Sequence, residues 1–253
     1  MLASTEPLIK ICDLHKRLGR QHVLRGCDLD VTTGQTLVVL GRSGGGKSVL
    51  LKHVIGLMKP TSGEVFVEGD NITGLGERKL VAIRKKIAIL FQSAALFDSM
   101  NVEDNIAFPL RESGIRDPKI IASKVAEALE MVDLAGEQKK MPENLSGGMR
   151  KRVGLARAIV GSPVCVLYDE PTTGLDPVVA DSINRLIRRL QKRLGVTSIV
   201  VTHDMKSAFH VADQVAYLHE GRIYFKGTIE ELRASSDPLL QDFIEGRSHE
   251  IDE

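Results

Sequence analysis

The segment Gly41–Ser48 carries the residue types and the spacing that bind phosphate. It fits the pattern G-x-x-x-x-G-K-S/T and lies between an apolar run, Thr36–Leu40, and a helical run, Ser48–Leu57. Glycines let the backbone curl until successive N–H groups point at one anion, and the start of a helix adds positive potential. Lys47 can then reach the β- and γ-phosphates of a nucleotide, and Ser48 can supply an oxygen to Mg²⁺. The predicted nucleotide contacts are Gly41, Arg42, Ser43, Gly44, Gly45, Gly46, Lys47, Ser48 and Val49.

Two acids, Asp169 and Glu170, follow the apolar run Val164–Tyr168. The carboxyl ends of the strands in a parallel sheet line the ligand crevice, so both acids are expected near the phosphate loop. Neighbouring strand residues point to opposite faces, which allows the two carboxylates different roles. Asp169 is expected to hold Mg²⁺, and Glu170 to orient or deprotonate the water that attacks the γ-phosphate.

These side chains must be positioned by an α/β fold with a largely parallel sheet, since short runs rich in Val and Ile alternate with helical patterns. The predicted strands are Leu8–Asp13, Val23–Val31, Thr36–Leu40, Glu64–Glu68, Ile87–Phe91, Val164–Tyr168, Ser198–Thr202, Val215–Leu218 and Ile223–Lys226. The predicted helices are Ser48–Leu57, Asn101–Glu112, Pro118–Val132, Ser146–Val160, Thr228–Ala234 and Pro238–Gly246. Strand signals stop between Ser93 and Pro163, which predicts a helical insertion. The acidic end, His249–Glu253, is expected to form a short helix that frays.

The composition limits the classes of function. The 253 residues carry 34 Lys+Arg against 33 Asp+Glu, and this net charge of +1 argues against a general nucleic-acid binder. Hydrophobic residues make up 43 % and charged residues 26 %, ordinary values for a soluble globular chain. Aromatic residues make up only 4 %, which argues against a protein built on base stacking or aromatic sugar platforms.

The expected compartment is the cytoplasm. No apolar run approaches the roughly 18 to 20 residues that span a bilayer, and the start of the chain lacks the layout of a secretory signal. The three cysteines, Cys12, Cys27 and Cys165, form no CxxC pair and are expected to be small buried hydrophobes in a reducing environment.

Four further motifs are specific to one family. Leu145–Met149 resembles the LSGGQ signature of ABC ATPases, and Gln92 is similar to the glutamine of their Q-loop. Gly174–Asp176 resembles their D-loop, and His203 their switch histidine. Order and spacing match that family over Leu8–Gly227. The resemblance implies a P-loop NTPase fold with a mostly parallel RecA-like sheet, N-terminal antiparallel strands and an inserted helical subdomain.

The resemblance also implies a division of the chain and an assembly. One ABC ATPase domain is expected over 1–253, with an α/β core at 1–92 and 163–227, a helical subdomain at 93–162 and a C-terminal helical tail at 228–253. Two copies are expected to pack head to tail, so that Ser146, Gly147 and Gly148 of one copy cap the γ-phosphate held by Lys47 of the other. Asp176 is expected at the dimer contact.

The same resemblance assigns roles at the nucleotide. His203 is expected to bind the γ-phosphate and hold Glu170 and water in place, while Gln92 senses the nucleotide through Mg²⁺ or water. The following segment, Ser93–Met100, is expected to transmit that state to a partner. The implied catalytic residues are Glu170, His203, Lys47 and Gln92. The implied Mg²⁺ ligands are Ser48, Gln92 and Asp169, and the implied cofactors are ATP and Mg²⁺.

A closer resemblance is to the ATPases of Mla/Mce-type lipid transporters. It rests on Val49 in the phosphate loop, on the run Phe91–Met100, on Met149 in the signature and on the run Asp169–Pro177. It implies phospholipid transport between the inner and outer membranes, powered for a separate integral-membrane permease of the MlaE type. Accessory cytoplasmic and substrate-binding subunits join the expected partners, and the expected location is the cytoplasmic face of the inner membrane.

Several alternatives stay open. The permease could carry an amino acid or another small solute. Soluble ABC proteins of DNA repair or translation usually have two ATPase units or a long coiled coil, and this chain shows one phosphate loop and no heptad run. A catalytically dead scaffold is disfavoured by the presence of the catalytic residues. The tail could dock on its own core or contact a second subunit.

One position departs from the family pattern. The aromatic residue that usually stacks on adenine should fall near Leu18, and no aromatic residue is there. Leu18 could offer an apolar face to the base, or Arg17 or Arg20 a cation. The preference for ATP over GTP is therefore open.

Overall fold

The computed structural model describes residues 7–247, which form two sheets and the helices packed on them. The strands are β1 (Ile9–Leu18), β2 (Gln21–Val31), β3 (Thr36–Leu40), β4 (Ser62–Val67), β5 (Asp70–Asn71), β6 (Ile87–Leu90), β7 (Cys165–Asp169), β8 (Thr197–Thr202), β9 (Gln214–His219) and β10 (Arg222–Gly227). The helices are α1 (Lys47–Val54), α2 (Glu77–Lys86), α3 (Val102–Glu112), α4 (Pro118–Met131), α5 (Gly147–Ile159), α6 (Pro177–Leu194), α7 (Met205–Val211), α8 (Ile229–Ala234) and α9 (Pro238–Glu245), with a 3₁₀-helix at Pro142–Asn144. The predicted helix at His249–Glu253 lies outside the described residues.

The larger sheet has six strands in the order β10-β9-β3-β8-β7-β6. Its strands from β9 to β6 are parallel, and β10 pairs antiparallel at one edge. The smaller sheet, in the order β2-β1-β4-β5, is antiparallel. The predicted fold class, with a mostly parallel sheet and antiparallel N-terminal strands, is confirmed.

Side chains alternate along the central strands between two separate hydrophobic clusters. In β3, Val38 and Leu40 belong to one cluster, whereas Leu37 and Val39 belong to the other. The first cluster lies under α3 to α7, and the second lies between the two sheets and around α1 and α2. Because the large sheet is covered on both faces, its strands read as continuous apolar runs. This is why the sequence revealed them.

Strand β1 is five residues longer at its C-terminal end than the predicted strand Leu8–Asp13. Register shifts against β2 after Ile11 and again before Arg17 carry it on to Leu18, and Asp13 adopts a positive φ of 43° at the first irregularity. A bulge re-aims the strand without ending it, which hides it from a period-two pattern. The extension brings Leu18 toward the phosphate loop.

Three helices were missing from the sequence prediction: α2, α6 and α7. The longest of them, α6, begins at the Asp176 N-cap and the following Pro177, and ends at Gly195 in the left-handed region. These are ordinary start and stop signals, so α6 was detectable. Helix α1 ends at Val54, short of the predicted Leu57.

The stretch between β6 and β7 holds α3, α4 and α5 and, in this part of the described chain, no strand. Asn101, Asp117 and Ser146 cap the three helices with their side chains. The helices share one core with the sheet through residues such as Ile106 and Val153. The proposed boundaries of a helical subdomain at 93–162 stay a prediction.

The C-terminal helices α8 and α9 dock on the chain's own core. The Phe243 ring lies 4.6 Å from the ring of Tyr217, which is buried in β9. The Tyr224 hydroxyl donates to the Asp237 carboxylate at 2.7 Å. Of the helices in residues 7–247, none is long and apolar enough to cross a membrane. The three cysteines are free; Cys27 and Cys165 are buried and Cys12 is half-buried.

Replacing Phe243 with Ala is expected to lower the free energy of unfolding by about 1–3 kcal/mol, because a half-buried ring loses its contact with Tyr217. Urea denaturation followed by circular dichroism measures this change. Tyr224→Phe removes only an exposed hydrogen bond and should shift the free energy of unfolding by no more than about 0.5 kcal/mol. Equal stability of Phe243→Ala and the parent would show that α9 does not support the core.

Candidate functional site

The candidate site lies along one edge of the large sheet, where four neighbouring parallel strands end. Strands β3, β8, β7 and β6 are consecutive in the sheet, and their partners at this edge include Leu40 with Thr202 and Asp169 with Val201. The residues that follow these four strands are the phosphate loop, His203, Glu170 and the segment containing Gln92. Parallel pairing thus gathers four distant segments at one place.

The phosphate loop is shaped by glycines at its two ends. Gly46, the N-cap of α1, has φ 100°, and no side chain caps this helix start. The first N–H groups of α1 therefore remain available to an anion. A Cβ at Gly41 would lie 2.6 Å from the carbonyl oxygen of Leu218, so the loop must begin with glycine.

Lys47 is a buried cation between the phosphate loop and Glu170. Its Nζ donates to the carbonyl oxygens of Gly41 at 2.8 Å and Arg42 at 3.1 Å. The same Nζ lies 3.4 Å from Oε1 of Glu170, and the two side chains are 6 % and 12 % exposed. A buried charge of each sign is thereby neutralised by the other.

Ser48 and Asp169 form an oxygen pair beside this lysine. The Ser48 hydroxyl donates to Oδ1 of Asp169 at 2.8 Å, across the gap between α1 and β7. A hydroxyl and a carboxylate are the donors that hard divalent cations take together with substrate phosphates. Residues 7–247 hold no cluster of three or more His, Cys, Asp or Glu side chains that would form an all-protein cage.

Glu170 is held by contacts on several sides. Its backbone adopts φ 49°, the left-handed region, directly after β7. Its carboxylate accepts hydrogen bonds from the hydroxyls of Thr173 at 3.2 Å and Thr202 at 3.3 Å. The His203 Nδ1 lies 3.0 Å from both carboxylate oxygens. The sequence prediction missed Thr173 and Thr202, because their hydrogen bonds to the Glu170 carboxylate depend on the left-handed backbone of Glu170.

The cleft at this edge has a volume of about 430 Å³. Its lining residues are Leu18, Gln21, Val23, Ser43, Gly44, Gly46, Lys47, Ser48, Val49, Gln92, Glu170, Thr173 and His203. Six of the nine predicted phosphate-loop contacts, from Ser43 to Val49 without Gly45, share this cleft with Gln92 and His203, whereas Gly41, Arg42 and Gly45 do not line it. Of the three candidates for base contact, Leu18 lines the cleft and is 43 % exposed. Arg17 and Arg20 are not among the lining residues, and the lining contains no Phe, Tyr or Trp.

The signature segment, Leu145–Met149, lies outside the cleft that contains Lys47. Ser146 caps α5 by accepting from the Met149 N–H at 3.2 Å. Gly148 packs so closely on α6 that a Cβ would lie 2.6 Å from Cγ1 of Val179. Asp176 caps α6 by accepting from two N–H groups at 3.0 Å. Ser146, Gly147, Gly148 and Asp176 do not line the cleft that contains Lys47.

A buried lysine of α5 completes the site and was not predicted. Lys151 is 5 % exposed, and its Nζ donates to the backbone carbonyls of Gln92 and, at 3.4 Å, Glu170. Burial lowers the pKa of this ammonium to about 8, and the carboxylates of Glu170 and Asp169 oppose that shift. No sequence signal distinguishes it from an exposed cation, because it lies between Arg150 and Arg152 in a basic stretch of the helix.

Comparison with known families gives one clear match. The sequence pattern described as ABC transporter matches residues 24–173. That range contains the phosphate loop, Gln92, the signature segment and Glu170.

Curated relatives align along nearly all of the chain. The "Probable ribonucleotide transport ATP-binding protein mkl" of Mycobacterium leprae is 40 % identical over 94 % of this chain and 69 % of its own length. The intermembrane phospholipid transport system ATP-binding protein MlaF of Escherichia coli K12 is 37 % identical over 97 % of this chain and 91 % of its own length. The methionine import ATP-binding protein MetN of Rhizobium johnstonii is 38 % identical over 97 % of this chain and 71 % of its own length.

Solved structures share the fold. The dimeric ATP-binding cassette MJ0796 in a post-hydrolysis state, bound to ADP and Pi, superposes with a TM-score of 0.80 at 30 % identity, over 87 % of this chain and 98 % of that chain. The protein cbiO1 of Clostridium perfringens, part of the ABC transporter complex cbiONQ, superposes with a TM-score of 0.83 at 29 % identity, over 94 % of each chain.

Gly46→Ala is expected to weaken nucleotide binding at least about ten-fold, since a left-handed φ costs an L-residue roughly 1–2 kcal/mol and the new Cβ would lie 3.1 Å from Cγ1 of Val23. Equilibrium titration with a fluorescent nucleoside triphosphate measures the Kd. Gly44→Ala places a residue at a similar left-handed φ of 76°, but its Cβ would have no atom within 4 Å. This variant should therefore lose less affinity for the nucleotide than Gly46→Ala. Gly74→Ala meets neither obstacle, and a Kd for Gly46→Ala equal to that of Gly74→Ala would contradict the expectation.

Proposed function

The chain belongs to the ABC transporter family and is an ATP-hydrolysing subunit of such a transporter; on that premise we propose that it powers phospholipid transport as a homodimer bound to a separate membrane permease. The observation that carries the catalytic part is the cluster at the sheet edge, where Lys47, Glu170 and His203 lie within hydrogen-bond or ion-pair distance. The assignments of individual residues below are part of the proposal.

ATP binds with its β- and γ-phosphates on the N–H groups of the phosphate loop. Lys47 turns from the carbonyls of Gly41 and Arg42 to the γ-phosphate, which replaces two neutral acceptors with a charged one. Ser48 and Asp169 are the residues that hold Mg²⁺, with Gln92 of the same cleft as a further ligand. When bound, Mg²⁺ neutralises charge on the phosphates.

Glu170 is the general base for hydrolysis. It takes a proton from a water whose oxygen bonds to the γ-phosphorus, while the bond from phosphorus to the bridging oxygen breaks and ADP leaves. Thr173, Thr202 and His203 fix the carboxylate from three directions. His203 is half-exposed and can also contact the γ-phosphate from the solvent side of the cleft.

The signature segment serves the nucleotide of a second copy. Ser146, Gly147 and Gly148 begin a helix of thirteen residues and lie outside their own chain's cleft. Backbone N–H groups and a hydroxyl at a helix start suit an anion. A head-to-tail dimer places them on the γ-phosphate held by Lys47 of the partner, with Asp176 at the contact. The dimeric state of the cassette MJ0796 supports this arrangement.

An apolar groove beside the Gln92 segment is the docking surface for the permease. Its volume is about 890 Å³, and it is lined by Leu57, Val81, Phe91, Phe97, Phe108 and Ile115 among others. Leu57, Val81 and Phe97 are 51 %, 46 % and 41 % exposed, so large apolar side chains lie open there. Lys85 and Lys124 also line it. A helix of the permease with an apolar face and acidic residues fits this surface, and Ser93–Met100 transmits the nucleotide state to it.

Phospholipid is the proposed cargo. The identity to relatives named for phospholipid, ribonucleotide and methionine transport is similar, so identity alone does not separate them. The alignment with MlaF spans 91 % of that protein, against 71 % of MetN. Val49, Met149 and the run Phe91–Met100 also favour the lipid transporters. Import of an amino acid is the second candidate, supported by the MetN relative.

Glu170→Gln is expected to bind ATP with a Kd close to that of the parent and to lower kcat at least about 100-fold, since the amide cannot accept the proton of water. The variant should accumulate as an ATP-bound dimer. Phosphate release and size-exclusion chromatography with ATP measure both properties. Glu127→Gln, an exposed acid of α4, is the control. Hydrolysis by Glu170→Gln at the parental rate would refute the assignment of the base.

Leu57→Asp is expected to abolish copurification of the permease from native membranes and leave ATP binding by the isolated chain unchanged, because docking would bury a carboxylate where an apolar side chain made the contact. Leu194→Asp, at an apolar position that is 40 % exposed outside the groove, should retain the permease. Pull-down followed by mass spectrometry gives the result. Retention of the permease by Leu57→Asp would place docking elsewhere.

The same purification tests the cargo. Lipid extracted from the parent complex should contain glycerophospholipid in a fixed ratio to the permease, and ATP should release it. A complex that holds no lipid and whose ATPase activity rises with an amino acid would decide for the second candidate.

A further inference from the structure

One face of α5, the helix that begins at the signature segment, packs on the segment that follows β6. Lys151, Gly154 and Arg157 recur every three residues along this face. Gly154 allows close contact, because a Cβ there would lie 2.6 Å from Leu90 and 3.2 Å from Ala94. Arg157 donates to the carbonyls of Ala95 at 2.9 Å and Ala94 at 2.6 Å. Side chains of helix α5, the signature helix, are therefore hydrogen-bonded to the backbone of the segment that contains Gln92.

Lys151, on the same face of α5, contacts the backbones of both Gln92 and Glu170. Its buried Nζ donates to the carbonyls of Gln92 and Glu170, residues that follow the neighbouring strands β6 and β7. Hydrogen bonds from a buried cation to two carbonyls are stronger than hydrogen bonds between neutral groups. Lys151 does not line the nucleotide cleft. It can act on the reaction only through the residues that it holds.

The residues held in this way have strained backbones. Glu170, Ala94 and Ala95 have φ values of 49°, 61° and 46°, in the left-handed region that non-glycine residues avoid. Such conformations persist only where surrounding contacts enforce them. The carbonyl of each of the three residues accepts from a cation of α5, Lys151 or Arg157. The signature helix thus supplies one of the contacts that enforce each of these conformations.

We propose that Lys151 is a positioning residue for ATP hydrolysis: its ammonium sets the separation of the Gln92 and Glu170 backbones and couples both to the signature helix. This inference rests on the proposed roles of Gln92 and Glu170 and extends them. In the proposed dimer, the same helix presents Ser146 to the partner's nucleotide. Lys151 then makes the geometry of one site depend on the signature engaged at the other.

The test compares Lys151→Met with the parent as full-length chains. The expected result is a kcat for ATP hydrolysis lower by about ten-fold or more, because small displacements of catalytic groups are costly. The Kd for ATP should change by less than about two-fold, since the phosphate contacts remain. Cooperativity in ATP concentration should also fall. Activity is expressed per bound nucleotide, so that a loss of folded protein does not count as a loss of kcat.

Two further variants separate positioning from bulk packing. Lys151→Arg restores donors to both carbonyls and should recover a substantial part of kcat, whereas Met, which is also long and flexible, should not. Lys119→Met, an exposed lysine of α4, should match the parent. If Lys151→Met does not fold, Lys151→Gln takes its place against Lys151→Arg. The proposal is overturned by a parental kcat in the Met or Gln variant, or by an equal loss in that variant and in Lys151→Arg.

Measuring Glu170→Gln in parallel distinguishes failure of the proposed catalytic base from failure of the proposed positioning role of Lys151. If Glu170→Gln hydrolyses ATP normally, the assignment of the base fails, whatever Lys151→Met does. If Glu170→Gln is inactive and Lys151→Met is normal, the catalytic assignment stands and the positioning role fails.

Discussion

The parallel alignment of four neighbouring strands is the constraint on which the site depends. Strands β3, β8, β7 and β6 run in the same direction, so the residues that follow each of them meet at one edge. A parallel sheet requires long crossovers, which separate these residues by many positions in the chain. Glu170 and His203 are 33 residues apart in sequence, yet their side chains lie 3.0 Å apart. The apolar faces of the sheet, covered on both sides, make this alignment the stable one.

Three charged side chains are buried at this edge of the sheet, and each has a charged or polar partner. Lys47, Glu170 and Lys151 are all buried. A buried charge without a partner costs several kcal/mol, so each of the three must be compensated. Lys47 has Glu170 and two carbonyls, and Lys151 has two carbonyls. Such an arrangement contributes little to net stability, because the loss of hydration offsets the attraction between the paired groups.

Strained backbone is found at the residues that the proposed mechanism uses. Glu170 and the Ala94–Ala95 pair have left-handed conformations, and cations of α5 hold their carbonyls. The groove proposed for the permease lies beside Ala95 and Phe97. A partner that presses on this segment therefore acts on a part of the chain that Arg157 of the signature helix and Asn105 of α3 hold in place. This links docking, nucleotide contact and dimer closure through one helix.

The sequence by itself determined the features that depend on contiguous residues: the phosphate loop, the acids at the end of an apolar strand, the signature and the fold class. Their local chemistry is complete within a few positions, so a pattern is enough to find them. Tertiary structure decided what depends on distant segments meeting. Lys151 and Thr202 read as ordinary residues until folding buries them against Glu170, and Leu18 reaches the cleft only because bulges extend β1. No local pattern predicts the contacts with Glu170, because Lys151 and Thr202 lie 19 and 32 positions away from it in the sequence and only folding brings them together.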